Sequence, residues 1–158
     1  GNQGPEAPDF TLRDLSGTPV SLTASLEHGP ALIVFWASCC SNMHPVMAEM
    51  QRLHDAYADS GLTVLGISED DNRTAARVRP WVLARRLTFP VLLDGRGEIM
   101  RRYGHEQIPA FALVSPQRRI VWARRGFLPG DEVVIERAVR EQLGARAPAE
   151  STGEEAGE

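Results

Sequence analysis

Residues 31–45 read ALIVFWASCCSNMHP, and this stretch decides the fold. Its first six residues, 31–36, form an uninterrupted apolar run that is typical of a central strand buried on both faces. A helix is predicted over 41–60, because apolar side chains recur there at spacings of three and four and Gly61 suits the helix end. A strand, a cysteine pair and a helix therefore follow one another directly.

Outward from this stretch, predicted strands and helices alternate. Strands are expected over 62–67 and 89–93, and a hairpin over 110–114 and 119–123. Helices are expected from Asp71 or Asn72 to about Arg86, with Pro80 as a kink or break, and over 98–103 and 131–143. Two short strands around the Ser16-Gly17 turn predict an N-terminal β-hairpin.

The order of these elements predicts an α/β fold. The β-α-β opening implies a parallel strand pair with a right-handed crossover, and the terminal hairpin adds antiparallel strands. We therefore expect a mixed central sheet with helices on both faces. One domain is predicted over 5–144, and the composition of residues 145–158 predicts an acidic, disordered tail.

Charge and cysteine content restrict the function. The net charge of the 158-residue chain is −4, and every basic residue is Arg. Nucleic-acid binding needs a basic surplus, so no nucleic-acid partner is expected. The two cysteines, Cys39 and Cys40, are adjacent and cannot join distant parts of a fold. Their role is therefore chemical or accidental, not that of a structural staple.

Five segments carry a resemblance to a known family. Residues 7–12 (APDFTL) resemble the opening of redoxins, and residues 35–39 (FWASC) resemble the FWASWC segment of the TlpA/ResA-like disulfide reductases. Residues 61–67 and 89–94 are similar to the next strands of those reductases, and 103–109 to the segment that holds their cis-proline. The chain thus resembles the thioredoxin-like superfamily, as a TlpA/ResA-type thiol-disulfide oxidoreductase with an AhpC/TSA redoxin domain. The resemblance implies a thioredoxin fold.

The active-site motif departs from that family. Where the family has Trp-Cys-x-x-Cys, this chain has Cys39 in place of the tryptophan, Cys40 in place of the nucleophile and Met43 in place of the resolving cysteine. Thioredoxin-like domains of some NHL-repeat proteins carry a similar CC-x-N-C motif, and compared with that motif too one thiol is missing. The resemblance further implies substrate contacts at Trp36, which core packing alone would also explain, and at a cis Ile108-Pro109 bond.

Redox chemistry at this motif has two routes of resolution. Cys40 is the expected nucleophile, activated as a thiolate if it lies in the first turn of the helix. If the helix begins as late as His44 or Pro45, that activation is lost. Either Cys39 or an external thiol resolves the mixed disulfide. A Cys39–Cys40 disulfide would be strained and easily reduced, because neighbouring Cα atoms lie about 3.8 Å apart and disulfides favour about 4.4–6.8 Å.

Two further groups of residues are candidates. The resemblance implies an acidic residue that assists proton transfer, and the sequence does not choose among Glu69, Asp70 and Asp71. A Cu(I) site is the alternative to core packing for soft ligands at helical spacing; its members would be Cys40, Met43, His44 and Met47. In the favoured interpretation the protein needs no cofactor and no metal.

The predicted function is that of an enzyme, a thiol-disulfide oxidoreductase acting on protein thiols and disulfides. The resemblance implies an extracytoplasmic setting, periplasmic or anchored to a bacterial envelope, with a membrane thiol-electron donor as a further partner. One alternative is a one-cysteine thiol peroxidase, although Ala37 stands where such enzymes carry Thr or Ser. The other alternative is a non-enzymatic module that binds metal or protein on a degenerate thioredoxin fold.

Overall fold

A computed structural model describes residues 4–40 and 42–146 of the chain. The strands are β1 (Thr11–Arg13), β2 (Pro19–Ser21), β3 (Ala31–Trp36), β4 (Thr63–Ser68), β5 (Val91–Leu93), β6 (Ala110–Val114) and β7 (Ile120–Arg125). The α-helices are α1 (Leu22–Ser25), α2 (Met43–Tyr57), α3 (Val78–Ala84), α4 (Glu98–Arg102) and α5 (Asp131–Arg146), and two 3-10 turns are Ala58–Ser60 and Ala75–Arg77. Residues 147–158 of the predicted tail lie outside the described residues.

The central sheet has five strands in the order β5-β4-β3-β6-β7. Strand β3 pairs in parallel with β4, and β4 pairs in parallel with β5. Strands β6 and β7 complete the sheet in antiparallel pairing. A separate antiparallel pair, β1 and β2, forms the N-terminal hairpin. The predicted mixed sheet and N-terminal hairpin are confirmed.

Strand β3 lies at the centre of the sheet and is buried along its whole length. Its side chains alternate between two core clusters, as the two-residue period of a strand requires. Leu32, Val34 and Trp36 pack with residues of α2, α3 and α5 on one face. Ile33 and Phe35 pack with residues of α1 and α4 on the other face. Helices therefore cover both faces, and the end of β3 is held from both sides.

The larger differences from the predicted boundaries are in the helices. The helix expected from Ser41 begins at Met43, and its last turn, Ala58–Ser60, is a 3-10 turn. The helix expected from Asp71 or Asn72 begins at Val78 after a 3-10 turn, and Pro80 falls in its first turn rather than breaking it. That position suits proline, because the first backbone N–H groups of a helix have no intrahelical partner. The last helix continues two residues beyond the expected domain boundary at 144.

The short helix α1 was not predicted from apolar spacing, since it has only four residues. Its signal is a cap. The side chain of Ser21 accepts a hydrogen bond from the backbone N–H of Ala24, which is the usual role of serine at this position. Leu22 is buried under β3 and closes one end of the core face formed by Ile33 and Phe35.

Candidate active site at the end of strand β3

The cysteine loop begins where β3 ends. Residues 36 and 68 are the last of β3 and β4, and they are partners in the parallel register. The backbone N–H of Glu69 donates to the carbonyl of Trp36 at 2.7 Å, which extends the pairing by one step. Since the carboxyl ends of parallel strands meet at one edge of a sheet, the residues after β3 and β4 are brought together there.

Asp70 fixes this loop. Its Oδ2 accepts a hydrogen bond from the backbone N–H of Ser38 at 2.9 Å, and its Oδ1 accepts one from the Ser38 hydroxyl at 2.7 Å. The hydroxyl of Ser68 also donates to Oδ2, at 2.7 Å. The carboxylate is almost completely buried. Burial alone would raise the pKa of Asp70, but the bonds from Ser38 and Ser68 outweigh it, so that the pKa is lowered.

The two thiols lie side by side. The Sγ atoms of Cys39 and Cys40 are 3.3 Å apart, and neither cysteine is in a disulfide. Cys39 is exposed, whereas Cys40 is half-buried and packs against the core cluster on the α2 face. The pair is therefore close enough to share a proton or to be oxidised together, with one sulfur facing solvent and the other facing the protein.

The structure places Cys40 before α2 and not in the first turn, where the helix would activate it. The N-cap of α2 is Asn42, so Cys40 lies two positions before it, and the Cys40 carbonyl accepts the backbone N–H of Met43 at 3.3 Å. Burial raises the pKa of the Cys40 thiol to about 11, with smaller contributions from its hydrogen bond to Cys39 and from the charges of Cys39 and Asp70. The helix dipole acts within the first turn, which does not include this sulfur.

The three acidic residues after β4 have different environments. Both carboxyl oxygens of Glu69 are buried, and neither has a hydrogen-bond partner in the described part of the chain. Burial first, and then the charge of Asp94, raise the pKa of Glu69 to about 9. Asp71 is exposed, and a hydrogen bond from the backbone of Arg73 lowers its pKa. At neutral pH, Glu69 holds a proton, while Asp70 and Asp71 are ionised.

The Ile108–Pro109 peptide bond lies beside the cysteine loop and is cis. Strand β6 begins at the next residue, Ala110, which is paired with Phe35 of β3. The antiparallel register thus brings Pro109 alongside the end of β3. The carbonyl of Pro109 accepts the backbone N–H of Gly126 at 2.8 Å. Ile108 and Pro109 are both half-buried, so part of each residue faces solvent.

The substrate contact expected for Trp36 requires a correction. The Trp36 side chain has no exposed surface. Its ring packs on Trp81 of α3 with the centroids 4.9 Å apart, and the guanidinium of Arg85 covers Trp81 at 3.8 Å from the ring centroid. Trp36 therefore packs in the core next to the cysteine loop. It cannot contact a substrate, because α3 covers the face that would otherwise be exposed.

The copper alternative does not fit the packing. Met43 and Met47 are 2% and 0% exposed and belong to the core, which is the packing role weighed against a metal site. His44 is exposed and borders a cavity of about 160 Å³ whose lining includes neither cysteine. Among residues 4–40 and 42–146, no group of three or more His, Cys, Asp and Glu side chains is placed to hold a metal.

Sequence reasoning missed the Ser38–Asp70 contact and the Trp36–Trp81 stack. A signal for the first was present, since Ser38 and Asp70 each stand two residues beyond the end of one of two neighbouring parallel strands. The second had no local signal, because Trp81 reaches β3 through the packing of α3. His105, four residues before Pro109, is buried with its ring centroid 6.1 Å from that of Phe35, and burial lowers its pKa.

The sheet order, the crossover and the cysteine loop after the central strand define a thioredoxin-like protein. The model of the AhpC/TSA family matches residues 3–123, and the chain belongs to this family. Among the residues that the structure describes, no helix has the length and apolar character needed to cross a membrane.

Relatives of known name and structure agree with this placement. The thiol-disulfide oxidoreductase ResA of Bacillus thuringiensis subsp. konkukian is 28% identical over 123 residues, which are 78% of this chain and 69% of that protein. A crystal structure assigned to the thiol:disulfide interchange protein DsbE of Chlorobium tepidum has a TM-score of 0.82 at 24% identity and covers 90% of this chain and 99% of its own. The thioredoxin domain of a Bacteroides vulgatus thiol-disulfide oxidoreductase has a TM-score of 0.72 at 26% identity, over 86% and 96% of the two chains. The predicted thioredoxin fold and ResA-type resemblance are confirmed.

Proposed function

We propose that this protein is a thiol-disulfide oxidoreductase whose redox centre is the Cys39–Cys40 pair. The observation that carries the proposal is the 3.3 Å separation of the two Sγ atoms on a loop that reaches solvent. Oxidation of the pair removes two electrons and two protons and forms one S–S bond, while a substrate disulfide gains them and becomes two thiols. The pair needs no second cysteine on α2 for this cycle, so Met43 at that position does not prevent it.

The strain of a disulfide between neighbouring residues makes the oxidised pair easy to reduce. Adjacent Cα atoms, about 3.8 Å apart, are closer than the usual range of about 4.4–6.8 Å for a disulfide. A strained disulfide has a higher reduction potential than a relaxed one and is reduced more readily. The oxidised pair is therefore expected to be restored by small thiols or by a protein donor, and a membrane thiol-electron donor is the partner that the resemblance implies.

The three acidic candidates after β4 differ in protonation and in hydrogen bonding. Glu69 is the one of the three that carries a proton at neutral pH, since its pKa is raised to about 9. Asp70 is ionised and occupied by its bonds to Ser38 and Ser68, so it holds the loop rather than supplying a proton. Asp71 is exposed and ionised. We assign positioning of the cysteine loop to Asp70.

The proline segment completes the proposed site. Ile108 and Pro109 lie beside the end of β3 through the pairing of Phe35 with Ala110 and are partly exposed. An extended substrate segment that contains a cysteine can lie along them and present its sulfur to the pair. The substrates proposed are thus protein thiols and disulfides, and the setting implied by the resemblance is extracytoplasmic.

Alkylation followed by intact mass measurement tests this function. The protein is incubated with glutathione disulfide and then alkylated, before and after mild reduction. The expected result is a monomer that exposes two thiols only after reduction, with an oxidised form lighter by two hydrogens. The Cys39→Ser/Cys40→Ser double variant is the matched control. If both thiols remain reduced and react slowly, the oxidoreductase proposal fails, and a non-enzymatic binding module, which the raised pKa of Cys40 favours, takes its place.

A further inference from the structure

The two sulfur atoms differ in how an incoming disulfide can reach them. Cys39 is exposed, whereas Cys40 is half-buried against the core. An attacking thiolate has to approach a substrate sulfur along the S–S axis, so it must project beyond the protein surface. A resolving thiol has only to reach the sulfur next to it, and here that sulfur is 3.3 Å away. By access alone, the two residues are suited to opposite roles.

The electrostatic surroundings divide the thiols in the same way. A thiolate at Cys40 would be partly desolvated and would lie near the carboxylate of Asp70, which its three hydrogen bonds keep ionised and in place. The first backbone donor of α2, the N–H of Met43, bonds to the carbonyl of Cys40 and not to its sulfur. A thiolate at the exposed Cys39 remains hydrated, so it does not carry the cost of desolvation that a thiolate at Cys40 would carry.

We propose that Cys39 is the attacking thiol and Cys40 the resolving thiol. This order is the reverse of the one that the position of Cys40 in the motif implies, and the inference rests on the proposed function. In the first step the Cys39 thiolate attacks a substrate disulfide R–S–S–R′, so that a Cys39–S–S–R bond forms and R′–S⁻ leaves. R′–S⁻ then takes the proton of Cys40. The Cys40 thiolate attacks the Cys39 sulfur, and R–S⁻ is released as the vicinal disulfide forms.

The contact between the thiols also affects how readily Cys40 ionises before and after Cys39 has reacted. Two of the effects that raise the pKa of Cys40 come from Cys39, through their hydrogen bond and through its charge. Both disappear once Cys39 is part of a mixed disulfide, because its sulfur then carries neither a proton nor a charge. Burial and Asp70 remain. Cys40 is therefore harder to ionise before Cys39 has reacted and easier to ionise afterwards, when a resolving thiolate is needed.

Single serine variants and glutathione disulfide separate the roles. We expect Cys40→Ser to react at close to the wild-type rate and to stop at a mixed disulfide, seen by intact mass as one retained glutathione. We expect Cys39→Ser to react at about one tenth of the wild-type rate or more slowly, since each pKa unit changes the thiolate fraction tenfold. Wild-type protein should pass to the intramolecular disulfide without retaining glutathione.

Other outcomes overturn the assignment in distinguishable ways. If Cys39→Ser reacts faster and retains glutathione while Cys40→Ser is slow, Cys40 is the attacking thiol and exchange itself stands. Equal rates for the two variants also reject the assignment and leave exchange intact. If wild-type protein does not exchange at all, the proposed function fails and the inference fails with it.

A measurement on the unmodified chain guards against misfolded variants. Native wild-type protein is treated with less than one equivalent of iodoacetamide, and fragmentation of the peptide that contains both cysteines locates the label. We expect the label mainly on Cys39. A label mainly on Cys40 would contradict the assignment whatever the variants show.

Discussion

The carboxylate of Asp70 accepts both the backbone N–H and the side-chain hydroxyl of Ser38, at 2.9 and 2.7 Å. This two-point contact ties the end of β4 to the loop that carries the cysteines. It also places a buried negative charge near Cys40, where the charge raises the pKa of that thiol. The same carboxylate therefore orders the loop and opposes ionisation of the second cysteine.

Replacing Asp70 with asparagine tests the effect of its charge on Cys40. Asp70→Asn, made in the Cys39→Ser background so that one thiol remains, removes the charge and should lower the pKa of Cys40. The expected gain is roughly threefold in the rate of Cys40 alkylation at pH 8, since half a pKa unit corresponds to that factor. The pH dependence of iodoacetamide labelling measures it. Asp71→Asn in the same background is the control, and an equal gain there would contradict the role given to Asp70.

The same Asp70→Asn change should also reduce stability. An amide offers one acceptor where the carboxylate has two, so at least one of the bonds from Ser38 or Ser68 is lost. Leaving such a buried group unpaired costs about 1–3 kcal/mol. The lowered pKa means that the carboxylate stabilises the fold above its unfolded pKa of about 3.9, and that this contribution is lost as pH falls through the lower folded pKa. Urea unfolding at pH 7 and pH 3 should therefore show a smaller disadvantage of the variant at pH 3.

Glu69 should give the opposite pH dependence. Its folded pKa of about 9 lies above the unfolded value, so the folded state holds a proton that the unfolded state releases. Stability then falls as pH rises from the unfolded pKa, about 4.3, to about 9. Glu69→Gln removes this slope and should be more stable than wild type at pH 8, by on the order of 1 kcal/mol or more. Melting temperatures between pH 5 and pH 9 measure the slope, and parallel curves for variant and wild type would contradict the raised pKa of Glu69.

Gly66 provides a test of the packing under the site. A Cβ at this position in β4 would lie 2.9 Å from a ring carbon of Phe89, 3.2 Å from the methyl of Met47 and 3.3 Å from the indole nitrogen of Trp36. Gly66→Ala should therefore destabilise the protein by about 1–3 kcal/mol, as overpacking of a core does. Gly144 in α5 is the control, because its Cβ would meet nothing within 4 Å in the described part of the chain. Gly144→Ala should stabilise by about 0.5–1 kcal/mol, and a similar loss in both variants would argue against the packing explanation.

The stack of Trp36, Trp81 and Arg85 should be measurable by fluorescence. Trp81→Ala uncovers the indole of Trp36, and we expect a red-shifted emission for the remaining tryptophans and a loss of about 2–3 kcal/mol in unfolding free energy. Trp81→Phe keeps a ring over Trp36 and should retain most of the stability. Arg85→Gln removes the cation–π contact, worth about 0.5–1 kcal/mol, together with the hydrogen bond that Arg85 donates to the carbonyl of Trp81. Unchanged emission in Trp81→Ala would show that Trp36 is shielded by something else.

Much of the fold was predictable because its signals are local. The run Ala31–Trp36 is a strand with the predicted bounds, since a strand buried on both faces is apolar at every position. The start of α2 was less well determined, because Ser41 and Asn42 suit a helix start as well as a loop. Pro45 was the better guide: proline is tolerated in the first turn of a helix, and it is the third residue of α2.

The site was less predictable than the fold because its properties come from contacts between distant segments. The burial of Trp36 depends on Trp81, and the charge near Cys40 depends on Asp70. Sequence position gave Cys40 the role of the family's nucleophile, but exposure is set by how the loop leaves β3. The direction in which the loop leaves β3 cannot be read from a single sequence.

The hydrogen bonds between Ser38 and Asp70 also limit how much of the structure changes when the two cysteines are oxidised or reduced. Because the loop is anchored directly before Cys39, closing or opening a bond between the two sulfurs requires rotation within these two residues and need not move β3, β4 or α2. The oxidised and reduced proteins should then have the same outline. A partner that distinguishes them must do so at the Cys39 side chain itself, by chemistry rather than by shape.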